Sequence, residues 1–123
     1  MNMILRVVIA LPAVLFILIG LQWLGDPTAA AKGLGMTLMD GMGRSSQMGD
    51  VGSFFLMGGS IAMLGVITLR REWFYASAML VAGAAVFRTV AWLAHDAPFA
   101  TVSIIIEVVI TALMLFGASR IKS

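Results

Sequence analysis

Polar positions are so sparse along this chain that the apolar runs between them define its elements. Four runs stand out, from about Ile4 to Leu24, Val51 to Leu69, Trp73 to Ala94 and Phe99 to Ala118. Each holds about 19 to 22 residues, and at about 1.5 Å of helical rise per residue each crosses roughly the 30 Å hydrocarbon core of a bilayer. The pattern predicts an all-α fold, an integral membrane four-helix bundle forming a single transmembrane domain over residues 1–123. The first run has some marks of a secretory signal, because Arg6 precedes an apolar stretch within it and "TAAAK" follows. Its apolar stretch of about 18 residues exceeds the roughly 7 to 15 of such a signal, so it is read as a span. Pro12 and Gly20 are candidate kinks in it, packed against neighbouring helices.

The connections differ in length. "RRE" and "HDAP" are tight turns that force the second, third and fourth helices into an antiparallel series. The first connection, residues 25–50, is long and reads "GDPTAAAKGLGMTLMDGMGRSSQMGD". Asp26 and Pro27 stop the first helix, and Leu34, Met36, Leu38 and Met39 supply apolar surface with which this segment lies on the outer mouth of the bundle. Arg6, Arg70, Arg71, Arg120 and Lys122 collect on one flank, against Lys32 and Arg44 on the other. Positive charge is retained on the cytoplasmic side, which puts both termini and the second connection there and makes the chain a multi-pass protein of the bacterial cytoplasmic (inner) membrane. Trp23 and Trp73 fall where an interfacial aromatic belt would place them.

Composition removes whole classes of function. Of 123 residues, 61% are hydrophobic and 11% charged, where a soluble domain carries about a quarter charged. The net charge of +2 comes from eight basic and six acidic residues scattered at segment ends, too thin a footprint for nucleic acid. The absence of cysteine excludes disulfides, thiolate chemistry and Cys-ligated metal. Ten methionines are dispersed over several segments, as flexible filler between helices rather than as a soft-metal site.

The helix faces carry more information. Gly58, Ala62 and Gly65 follow at i, i+4 and i+7, a flat stripe for close helix packing, read as packing within one subunit ahead of a dimer contact. The third helix aligns Ala76, Leu80, Ala84, Arg88, Trp92 and His95, and the fourth aligns Ser103, Glu107, Thr111 and Met114. Counted from the turn between them, Arg88 and Glu107 differ in depth by about two residues, or about 3 Å. A long arginine side chain covers that gap, which predicts an Arg88–Glu107 ion pair. A lone charge in a span costs roughly 2.5 to 3.5 kcal/mol on insertion scales, so such groups face inward and pair. The pair has two readings. It lines a polar pocket in the outer half together with His95, Asp50, Arg44 and Gln47, or it staples two helices in register.

Catalytic and metal motifs are weak. His95 has no second histidine or carboxylate at ligand spacing, so neither a metal nor a cofactor is expected. "GLGMTLMDGMG" is glycine-rich without the strand-turn-helix context of a nucleotide cradle, and Ser45 and Ser46 lack an oriented base.

At "GRSSQMGDVGSFFLMGGSIAMLG", residues 43–65, and at "FRTVAWLAHDAP", the chain resembles the small bacterial four-helix membrane proteins grouped as the DUF4345 type, and more distantly DoxX-like proteins. The shared features are an arginine before the second helix, a glycine-rich entry into it, an arginine within the third and a short turn before the fourth. After Gly49, where such proteins are expected to carry a second small residue, this chain has Asp50. The resemblance implies a four-helix membrane bundle and no established activity.

Three functions compete. The first is a small non-enzymatic membrane protein, an accessory or binding subunit that docks membrane partners or a lipophilic ligand. Its partners would be the lipid bilayer with other membrane subunits or a homodimer, and no nucleic acid. The second is a small dimeric proton- or cation-coupled transporter, similar in length to the small multidrug-resistance transporters. Those carry their glutamate in the first span, whereas here it is Glu107 in the fourth, and a carboxylate held by arginine is a poor proton shuttle. The third is an outer-leaflet enzyme with His95 as base and Arg44 or Arg88 as anion clamp. The first reading is preferred.

Overall fold

The structure is a computed structural model that describes residues 1–121; Lys122, one of the cations counted above, lies outside the described residues. All regular structure among the described residues is helical. Helix α1 spans Met3–Gly25, α2 Pro27–Gly33, α3 Gly41–Thr68, α4 Arg71–Ala94 and α5 Thr101–Ser119. All but α2 are long and apolar enough to cross a membrane.

Local chemistry sets the helix ends. Asn2 Oδ1 accepts from the Leu5 N–H at 2.8 Å and caps α1. Asp26 Oδ1 accepts from the Ala29 N–H at 3.2 Å and caps α2, whose first residue is Pro27. Leu69 and Asp96 turn the chain in the left-handed region, at φ 54° and 58°. These reversals place α3, α4 and α5 antiparallel, as the short connections require.

The first connection departs from the expected loop over residues 25–50. Part of it is α2, and α3 begins at Gly41 rather than near Val51. The added turns are polar and fall outside any apolar window, yet they hold themselves together. Arg44 donates through Nε to the Met39 carbonyl at 2.8 Å and through Nη2 to Asp40 at 3.1 Å. Gln47 Oε1 accepts from the Met39 N–H at 2.9 Å while its Nε2 donates to the Thr37 carbonyl at 3.2 Å. Residues 48–52 of α3 then form a π-helical turn, Met48–Gly52.

Helix α1 lies along α3, α4 lies along α5, and α3 joins the two pairs by packing on α4. The first contact is a backbone approach made possible by glycine. A Cβ on Gly20 would fall 2.6 Å from the Leu56 nitrogen, and one on Gly59 would fall 2.5 Å from the Ala13 carbonyl oxygen. The core between the pairs is built from Ile9, Phe16, Phe55, Phe74, Val81 and Met114. Gly58, Ala62 and Gly65 are buried against it: the Phe74 ring covers Gly65, and Leu80 and Phe16 cover Gly58. The stripe therefore packs inside this one chain.

Trp23 is not on a surface belt. It is 1% exposed, closed over by Ala30 and Ala31 of α2, because Asp26 and Pro27 turn the chain back across the end of α1. At the end of the bundle that holds both described chain ends, Arg6 Nη2 donates to the Val66 carbonyl at 2.9 Å and Arg71 Nη2 to the Ile121 carbonyl at 2.7 Å. The Val66 carbonyl is one that the end of α3 leaves without an internal partner, and Ile121 lies just past the end of α5. These cations thus have a fastening role in addition to their sign.

Candidate functional site

The turn after α4 brings its last third alongside the first third of α5. His95 caps α4 through its backbone N–H, donated to the Ala91 carbonyl at 3.0 Å, and the Ala97 N–H closes on the same carbonyl at 3.2 Å. Trp92 and Phe99 meet edge to face across this turn, with ring centroids 4.8 Å apart. In that register Arg88 Nε donates to both Glu107 carboxylate oxygens at 3.1 Å. The ion pair expected from the depth count is present.

Its two members sit differently. Glu107 is 5% exposed, whereas the Arg88 side chain is 38% exposed. A buried carboxylate without a cation would be strongly disfavoured, so Arg88 is required where it stands. Yet Glu107 engages only Nε. Among the described residues neither Nη nitrogen of Arg88 has a hydrogen-bond partner, so up to four N–H donors remain available.

Arg88 also lines a cavity of about 510 Å³ between α3 and α4, to which Leu34 and Met36 of the preceding connection contribute. Its walls are apolar, with Phe54, Phe55, Leu80 and Phe87 prominent, and its charged lining residues are Asp50 and Arg88. Asp50 lies within the π-turn of α3 and makes no ion pair or side-chain hydrogen bond among the described residues. A π-turn shifts the following residues around the helix axis relative to those before it and recurs at functional positions in helices. Two charged groups in an otherwise apolar lining are the layout of a site for an amphipathic molecule.

The six residues anticipated as one pocket therefore divide. Arg88 and Asp50 share the cavity, and Glu107 reaches it through Arg88. Arg44 and Gln47 do not line it; their side chains are occupied with residues 36–40, which brace the start of α3. His95 is exposed at the turn and also stands outside the lining. Missing from the anticipated set were the phenylalanines and Gly83. A β-carbon on Gly83 would meet nothing within 4 Å, which marks it as a gap in the α4 wall of the cavity. The adjacency of aromatic residues in "GSFFLM" was the available signal.

A second hollow, of about 470 Å³, lies near the chain ends and is lined by Met1, Leu5, Val8, Phe116 and Arg120. The Arg120 guanidinium sits over the Phe116 ring at 5.0 Å, and no acidic side chain lines this hollow. No group of three or more His, Asp or Glu side chains converges among the described residues.

No family model, curated protein or solved structure matches this chain.

Proposed function

We propose that this chain is a small non-enzymatic protein of the bacterial cytoplasmic membrane that holds an amphipathic, lipophilic ligand between α3 and α4. Both termini face the cytoplasm, and the Asp50 and Arg88 end of the cavity faces outward. Four helices long and apolar enough to cross a membrane support the location, and the arginine and lysine asymmetry supports the orientation. The resemblance to DUF4345-type proteins agrees with this architecture and adds no activity.

The observation that carries the reading is the unused half of Arg88. A residue serving only to neutralise Glu107 has no need to keep its Nη groups free while lining an apolar cavity of about 510 Å³. A cavity of that size lies within the roughly 300 to 1,000 Å³ of small-molecule sites. An accessory role follows naturally, because a subunit that holds lipid at its flank presents that lipid to a neighbouring membrane protein.

The test is extraction of the full chain with its surrounding lipid, followed by quantification of amphiphiles that stay bound after exchange into detergent. Wild-type protein is expected to retain about one molecule per chain, and Gly83→Leu to retain none. Leucine at that position enters open space and replaces a poor helix former, so the variant is expected to fold at least as well. Equal retention by both proteins would remove the cavity from the account.

A further inference from the structure

Asp50 and Arg88 line one cavity and are not paired with each other. Free side chains of opposite charge attract by about 4 kcal/mol at about 4 Å in a medium of effective dielectric near 20. Here each is set on a different support. Glu107 tethers Arg88 from the α5 side, and the π-turn Met48–Gly52 sets Asp50 on α3. Arg44, the cation nearest to Asp50 in sequence, is committed to Asp40. What remains is a positive donor group and a negative acceptor on the lining of one apolar hollow, not paired with each other.

Two unmatched groups of opposite sign in one apolar hollow discriminate among amphiphiles. An anionic headgroup reaches the Nη donors of Arg88 but brings its charge toward Asp50, and Glu107 already balances the guanidinium. A cationic headgroup meets Asp50 and leaves the Nη donors without an acceptor. A headgroup carrying both a phosphate and an ammonium satisfies both groups. The source of such a molecule follows from the sides of the cavity. Met79 and Phe87, 76% and 79% exposed, continue its apolar lining outward onto the face of α4. A cavity of about 510 Å³ takes a headgroup and the first part of its chains, and the remaining chain length runs out along that face.

We propose that the α3–α4 cavity seats a zwitterionic phospholipid drawn from the bilayer, its phosphate on the Arg88 Nη groups and its ammonium on Asp50. This rests on the cavity being a ligand site, as proposed above. The experiment is native mass spectrometry of the purified full chain titrated with phosphatidylethanolamine or phosphatidylglycerol of identical acyl chains. Wild-type protein is expected to bind phosphatidylethanolamine about tenfold more tightly, the worth of one charge-assisted contact. Asp50→Asn removes that preference. Arg88→Lys, which keeps a cation beside Glu107 but lacks the spare fork of donors, weakens both lipids. Gly83→Leu abolishes both. Equal affinities in the wild type, or a preference that survives Asp50→Asn, would overturn the zwitterion assignment while leaving the cavity as a ligand site. Undiminished binding by Gly83→Leu would overturn the ligand site itself, and so would a cavity that takes up only a second copy of the chain.

Discussion

Arg88 Nε donates to both carboxylate oxygens of Glu107 at 3.1 Å, and this single donor is all that the pair takes from the guanidinium. The arrangement combines a staple and a site in one residue. Arg88 neutralises a buried acid on α5 through Nε, and the same residue lines the cavity between α3 and α4.

The unequal burial of the two partners predicts an unequal response to truncation. Arg88→Ala leaves a carboxylate that is 5% exposed without a cation and is expected to destabilise the protein by roughly 3 to 5 kcal/mol. Glu107→Ala is expected to cost about half as much, because the half-exposed arginine can swing toward the cavity mouth. The double variant is expected to be more stable than Arg88→Ala alone, since neither charge is then stranded. Denaturant unfolding in detergent measures all three, and a double variant as unstable as the sum of the singles would contradict the pairing account.

Glycines of similar sequence setting are expected to behave in opposite ways. Gly59→Ala drives a β-carbon to 2.5 Å from the Ala13 carbonyl oxygen at the α1–α3 contact and is expected to cost about 1 to 3 kcal/mol. Gly83→Ala meets open space and is expected to be neutral or stabilising by up to about 1 kcal/mol. Thermal unfolding of the two variants side by side checks the contrast.

Gln47 holds the Met39 N–H and the Thr37 carbonyl, so it braces the segment before α3 rather than the cavity. Gln47→Ala is expected to accelerate hydrogen exchange at Met39 by about fivefold, the equivalent of one ordinary hydrogen bond. Lipid retention is expected to stay unchanged. Lost retention with unchanged exchange would reassign Gln47 to the site.

How much of this was legible beforehand depended on whether the deciding interaction was local. Four helices followed from apolar runs alone, because a backbone in a low-dielectric medium must satisfy its own hydrogen bonds. The Arg88–Glu107 contact followed from a short turn, which leaves little freedom of register between α4 and α5. The start of α3 at Gly41 was not legible, since polar residues fastened by Arg44 and Gln47 contribute nothing to an apolar window. Trp23 looked like an interfacial residue because its burial depends on α2 folding across it. The cavity was hidden for a related reason. Its shape depends on how Phe16, Phe54 and Phe55 pack against one another, at centroid distances of 4.9 to 5.9 Å, and so on how α1 seats α3 beside α4. Arg44 and Gln47 shared a segment with Asp50, and only the three-dimensional arrangement separates brace from lining.

The proposed orientation has a direct check, because the chain contains no cysteine of its own. Single cysteines at Ser45 and Ser119, both exposed, report on opposite ends of the bundle. In intact cells a membrane-impermeant maleimide is expected to label Ser45→Cys, and to label Ser119→Cys only after permeabilisation. The reverse pattern would invert the topology and place the Asp50 and Arg88 end inside.

An experimental density map of the full chain, extracted with its native lipids, tests the central claim most directly. The account predicts elongated non-protein density between α3 and α4, its polar end against the Nη groups of Arg88 and the carboxylate of Asp50. A cavity closed by its own side chains, with those Nη groups turned onto protein acceptors, would contradict it.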